Sequence, residues 1–216
     1  MKVLTLLGSP RKKGNTATIL GRAETELLQC GFDVERVDIV DHDIRGCMGC
    51  LKCRRVSDEP GCIQQDDTVT IFRKMMDADA VLYASPLYCW GFSSQMKALI
   101  DRHFCLVKGY KTPQHLSFIQ GKPTSLLVTC GGPIQGNTDL IRQVFDRVNR
   151  FCRSMPVGKY VVPFCSTPDY LPANAHDIVT GMVKDLCNAM KETIKHDLTS
   201  ARSESKHRLM PSPVGH

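Results

Sequence analysis

The chain has 216 residues, with 28 lysines and arginines against 22 aspartates and glutamates, a formal net charge of +6. That length suits one α/β domain with a substantial core and is tight for two. The charge is dispersed except at Arg11–Lys13 and Lys52–Arg55, which favours an anionic ligand over a nucleic-acid groove; with no apolar run long enough for a bilayer and no leading signal sequence, a cytoplasmic protein off the membrane is expected.

In chain order, Val3–Leu7 is a short apolar run that reads as a buried strand. The loop Gly8-Ser9-Pro10-Arg11-Lys12-Lys13-Gly14-Asn15-Thr16 follows. A helix pattern comes next, with Ile19, Ala23 and Leu27 at i, i+4, i+8 and Gly31 placed to end it. Hydroxyl, amide and backbone N–H donors at a helix N-terminus bind anions, and Arg11, Lys12 and Lys13 add countercharge. The competing reading is an ordinary capped turn. Five residues separate Gly8 from Gly14 and Asn15 stands where a Walker lysine would be, so a triphosphate loop is excluded, as is G-x-G-x-x-G. A monophosphate suits this loop better.

Val34–Ile39 is the second strand, and the cysteine-rich loop 46–66 follows it. A short helix is expected over Asp67–Met76 with Asp66 as candidate N-cap. Ala80–Ala84 is the third strand, followed by a helix bearing Met96, Leu99, Ile100, His103 and Phe104. Ser125–Thr129 is the fourth, followed by the stripe Leu140, Val144, Val148 and Phe151. Tyr160–Phe164 is the fifth, and Pro163 places it at a sheet edge. The last helix carries Ile178, Met182, Leu186, Met190 and Ile194, backed by Val179, Val183 and Cys187. One domain over 1–198 with a polar tail over 199–216 is the expected division. Alternating strands and helices predict a parallel five-stranded sheet in order 2-1-3-4-5, helices on both faces, and a ligand crevice at the strands' carboxyl ends.

Three loops then converge there. The first is the anion loop. Pro86, Leu87, Tyr88, Cys89, Trp90 and Gly91 form the second, and Thr129, Cys130, Gly131 and Gly132 open the third. Backbone N–H groups, an aromatic-bearing loop and a Gly-Gly loop beside a phosphate site suggest phosphate plus a planar ring, the shape of FMN. Taken alone, Trp90 reads equally well as a core residue.

With Ala84-Ser85-Pro86-Leu87-Tyr88 and Gln95-Met96-Lys97-Ala98-Leu99-Ile100-Asp101-Arg102, the anion loop resembles the NAD(P)H-dependent FMN reductases, which include the iron–sulfur flavoproteins. The resemblance covers about residues 1–165 and implies a flavodoxin-like three-layer sandwich. It implies that Ser9, Arg11, Gly14, Asn15 and Thr16 hold the FMN phosphate and that residues 86–91 and 129–132 flank the ring. Asp101 and Arg102 would be structural, and a homodimer or homotetramer is expected.

Cys47, Cys50 and Cys53 have the spacing C-x2-C-x2-C, with Cys62 after eight more residues, which lets thiolates face one iron–sulfur cube. Zinc is the alternative, and no bound metal is another. The resemblance cuts both ways: iron–sulfur flavoproteins have a shorter last gap, and this loop leans toward relatives that hold no cluster. Cys30, Cys105, Cys152, Cys165 and Cys187 read as small core residues, and Cys89 and Cys130 as neighbours of the ring.

The expected activity is electron transfer from NAD(P)H through flavin to a flavin, quinone or other small acceptor. The flavin carries that chemistry, so no catalytic side chain is assigned, and His42, His103, His115 and His176 read as structural or surface residues. The rival is an electron carrier that exchanges electrons with ferredoxin through a 4Fe-4S cluster and FMN, docking through Lys52, Arg54 and Arg55. A zinc-stapled nucleotide-binding module is a third reading.

Overall fold

Apolar runs without alternation are stable in a sheet only where both faces are covered. In the computed structural model, which describes residues 1–56, 58–167 and 170–208, with side chains to 193, those runs form the centre of a parallel sheet. Strands β1 (Lys2–Leu7), β3 (Ala80–Pro86) and β6 (Pro123–Thr129) are buried almost throughout. The edges β2 (Asp33–Asp38) and β7 (Met155–Val162) are part exposed. The order is β2-β1-β3-β6-β7. This is the expected 2-1-3-4-5 once the antiparallel pair β4 (Val107–Lys108) and β5 (Leu116–Ser117), absent from the sequence reading, is set aside. β7 ends at Val162, just before Pro163, and does sit at an edge.

Side-chain alternation divides the interior into two cores. On one face Val3, Leu7, Leu82, Ala84 and Leu127 meet α1 (Asn15–Gln29) and α5 (Ala175–Arg208). On the other, Leu4, Leu6, Tyr83, Leu126 and Val128 meet α2 (Thr68–Asp77), α3 (Ser94–Asp101) and α4 (Asp139–Cys152). Gly31 follows α1 at a left-handed φ of 83°, as its position predicted. Met182, Leu186 and Met190 are buried on α5 as expected; the Ile194 side chain lies outside the described residues.

Four expectations need correction. The buried face of α4 is Ile141, Phe145, Asn149 and Cys152, one position on from the expected stripe; Leu140 is exposed, and Val144, Val148 and Phe151 line a groove beside α3. Helix α2 begins at Thr68 with Asp67 at its cap position, one residue later than expected; the Asp66 carboxylate still accepts from the Thr68 N–H at 3.2 Å while it pairs with Arg102. Cys30 is exposed, since it caps the end of α1 rather than lying on its inner face. The backbone of α5 stays helical through Arg208, well into the segment read as a tail; residues 209–216 lie outside the described residues. Among the described residues, no helix is long and apolar enough to cross a membrane.

Candidate functional site

The register aligns the strand ends that matter. Leu7 pairs with Ala84, Pro86 with Thr129, and Thr129 with Val162, so the loops leaving β1, β3, β6 and β7 open side by side. The Leu87 N–H donates to the Thr129 carbonyl at 2.8 Å and the Cys130 N–H to Val162 at 3.1 Å. The Thr16 and Thr129 hydroxyls meet at 2.6 Å and tie the start of α1 to the third loop.

The anion loop is shaped by its own bonds. Ser9 Oγ accepts from the Arg11 N–H at 3.1 Å and donates to the Arg11 carbonyl at 3.2 Å, and the Gly14 N–H donates to that carbonyl at 3.1 Å. The cap residue of α1 is Gly14, so no side chain caps the helix, and its first turn holds no acidic residue. Helix α3 differs: Ser93 Oγ accepts from the Met96 N–H at 3.3 Å. The first N–H groups of α1 are therefore open to an anion, while Asn15 Oδ1, buried there without a partner, is an acceptor that would take a donor such as a ligand hydroxyl.

These groups wall a polar cavity of about 150 Å³. Ser9, Arg11, Gly14, Asn15, Thr16, Pro86, Leu87, Tyr88, Thr129, Cys130 and Gly131 all line it, with Cys165 and Ser166. Sequence reasoning missed these last two. They arrive because β7 is the parallel neighbour of β6, and only the pairing shows it; Cys165 is half-buried here rather than in the core.

A wider, open cavity of about 590 Å³ adjoins the first and shares Leu87, Cys130 and Gly131 with it. Cys89, Trp90, Gly132, Pro133 and Asn137 extend its wall. Gly91 lines neither cavity. Its N–H and carbonyl pair with Tyr88 at 3.0 and 3.1 Å, closing a tight turn in which Cys89 and Trp90 take φ values of 45° and 61°. That turn holds Trp90 outward, 58% exposed. Burial pushes the Cys130 thiol up, and pushes Cys165 up to about 11, so both stay protonated at neutral pH and neither is an activated nucleophile.

The cysteine loop builds a separate cavity of about 250 Å³ that shares no lining residue with the other two. Cys47, Cys50, Cys53 and Cys62 line it with Arg102, Phe104 and Cys105. Among the described residues, no group of three His, Cys, Asp or Glu side chains is set to hold a single metal ion. The histidines named from sequence are indeed outside these walls. His103 is buried between Tyr83 and the Leu99 carbonyl, His115 bonds the Phe151 carbonyl, His42 faces Asp67, and His176 is exposed.

Residues 1–167 match the model of the family described as NADPH-dependent FMN reductase. An iron-sulfur flavoprotein of Archaeoglobus fulgidus is 32% identical over 212 residues, 98% of this chain and 84% of that protein. An iron-sulfur flavoprotein of Methanosarcina thermophila is 36% identical over 106 residues, about half of either chain. The NAD(P)H:quinone oxidoreductase of Methanothermobacter marburgensis has the same fold, with a TM-score of 0.64 and 17% identity over 88% of this chain and 94% of that one. An FMN-dependent NADH-azoreductase of Bacillus anthracis, solved in complex with FMN, gives 0.59 at 11% identity over 89% and 99%.

Proposed function

Because the chain belongs to the family of NADPH-dependent FMN reductases and is an oxidoreductase, we propose that it holds FMN across the two adjoining cavities and passes electrons from NAD(P)H to a small acceptor such as a flavin or quinone. The observation that carries this reading is the junction of an uncapped helix N-terminus with an open, aromatic-rimmed cleft. The donor set fits the cofactor: a compact polar end for a phosphate and a wider end for a ring.

Bound FMN supplies hydride acceptance and electron storage. The chain's own residues bind and orient. Arg11 and the first N–H groups of α1 hold the phosphate by charge-assisted hydrogen bonds, with Ser9 and Thr16 beside them. Leu87 and Cys130, present in both walls, seat the junction between phosphate and ring. Gly131 and Gly132 let backbone approach the ring, and Trp90 borders the open side from which a nicotinamide enters.

The second reading concerns the cysteine cavity. Four cysteines line this cavity, and their C-x2-C-x2-C spacing with a fourth further on suits an iron–sulfur cube better than zinc, whose commoner spacing is two C-x2-C pairs. Cys47, Cys50, Cys53 and Cys62 would hold a 4Fe-4S cluster, which supplies one-electron exchange. Lys52, Arg54 and Arg55, on an exposed 3-10 turn, would then dock an acidic ferredoxin-like partner.

An absorbance spectrum of anaerobically purified protein tests both readings, with iron and sulfide assayed on the same sample. Flavin bands with about four iron and four sulfide per chain support the pair. Flavin without iron leaves the FMN reading alone. No flavin after FMN is added overturns the proposal.

A further inference from the structure

Beneath the cysteine loop lies Arg102, the largest fully buried side chain among the described residues. Its guanidinium grips Asp66 with two bonds, Nη1 to Oδ2 at 2.7 Å and Nη2 to Oδ1 at 3.1 Å, and the Asp66 side chain is itself fully buried. Nη1 also donates to the Arg45 carbonyl at 2.7 Å, just before the first cysteine. Asp66 in turn accepts from the N–H groups of Arg45 at 3.1 Å and Thr68 at 3.2 Å. One ion pair therefore clamps both ends of the 46–66 loop.

The clamp leaves something over. Arg102 Nε is buried without a hydrogen-bond partner, although an arginine has five N–H donors and a buried one left unmade is costly. Arg102 lines the cysteine cavity. Burial works against its charge, but Asp66 and, after it, the neighbouring Cys62 thiol raise its pKa overall. The other polar groups along this wall are engaged elsewhere: Asp101 with Lys97 at 2.6 Å, and Gln64 with the Gly46 carbonyl at 3.1 Å. Lys108, which does not line the cavity, donates to the carbonyls of Cys53 and Val56 and stands over the Phe118 ring.

We propose that Arg102 is the positioning residue of the cysteine site: its Nε–H donates to the Cys62 sulfur once that sulfur is a ligand, and that bond favours the reduced, more electron-rich state of the site. The proposal rests on the reading that the loop holds an iron–sulfur cluster. Hydrogen bonds to ligand sulfurs and nearby charge are the protein's levers on such potentials. No electron or proton leaves Arg102; it is a fixed donor.

The test reconstitutes the full chain with iron and sulfide and measures the cluster's reduction potential by titration followed by electron paramagnetic resonance. The variants are Arg102→Lys and the neutral pair Arg102→Gln with Asp66→Asn, which leaves no buried charge without its partner. The neutral pair removes opposite charges together, so it isolates the loss of the Nε–H donor, and it is expected to disfavour reduction about tenfold, a 59 mV shift for one electron. Arg102→Lys, which keeps the charge but loses the planar fork, is expected to fall between it and the wild type. Unchanged potentials in loaded variants would overturn the proposal, as would faster iron loss to a chelator with the potential unmoved, since that marks a purely structural clamp. If the neutral pair fails to fold, Arg102→Lys alone decides, with a shift of at least threefold expected. A wild-type chain that takes up no iron sinks the cluster reading first and this proposal with it.

Discussion

Asn15 offers the sharpest test of the anion site. It is the first residue of α1, its Oδ1 is buried without a partner, and it lines the polar cavity. Asn15→Asp changes almost nothing in shape and adds one negative charge where a phosphate is proposed to bind. At about 4 Å and an effective dielectric of about 20, two unit charges repel by about 4 kcal/mol. At 1.4 kcal/mol per decade, FMN affinity should fall by roughly 10³. Asn15→Ala removes a hydrogen-bonding group without adding charge and should cost about 1 kcal/mol, a loss of roughly five- to tenfold. Without ligand the two effects of the new carboxylate oppose each other: the helix end favours it by about 0.3–1 kcal/mol, while its buried, unpartnered oxygen costs about 1–3 kcal/mol. The ligand-free Asp variant should therefore melt below the wild type. Quenching of flavin fluorescence at low salt gives the affinities and circular dichroism the melting curves. A folded Asn15→Asp protein that binds FMN within threefold of the wild type would refute the placement of the phosphate.

Three further outcomes are expected. At Gly8, where β1 turns into the anion loop, an added Cβ would lie 2.8 Å from Met96 Cβ, so Gly8→Ala should lower stability by about 1–3 kcal/mol; an unchanged urea midpoint would contradict that close approach. On α4, Ile141→Ala should cost about 2–5 kcal/mol and Leu140→Ala about 0.5 or less, and equal losses in chemical denaturation would mean that the helix is rotated. Burial pushes the His103 imidazole down to about 4 from 6.5, so the folded protein keeps it neutral while the unfolded chain takes a proton below pH 6.5. Its contribution is whole above that pH and is lost as pH falls from 6.5 toward 4, roughly 2–3 kcal/mol by pH 4.5. His103→Gln should flatten the fall in urea midpoint across that window, and identical slopes would refute it.

What could be read in advance was what repeats along the chain or sits in one short stretch. The central strands showed as apolar runs because both faces are covered, and the anion loop showed because its donors lie within nine consecutive residues. Cys165 and Ser166 were invisible, since strand pairing brings them to the cavity and no local pattern marks it. The β4·β5 pair was lost because two-residue strands have no periodicity. On α4 the groove-side stripe is wholly apolar while the sheet-facing one carries Asn149, whose amide is satisfied by the Thr124 hydroxyl and the Phe145 carbonyl, so hydropathy alone picked the wrong stripe. Asp66 carries a capping signal and does accept from the Thr68 N–H, but its main partner, Arg102, lies 36 residues away, and no local pattern shows that pairing.

The tight Tyr88–Gly91 turn has a practical consequence. It carries the chain's only tryptophan, more than half exposed and held there by two non-glycine residues at positive φ. Tryptophan emission from this protein is therefore a local instrument. It reads the rim of the cleft, and it will respond to a ring that docks there before it responds to anything in either core. An unfolding curve followed by that emission reports when the turn lets go, an element that holds two non-glycine residues in the left-handed region. Disagreement between it and a curve followed by backbone circular dichroism would measure how far the rim loosens while the sheet stays intact.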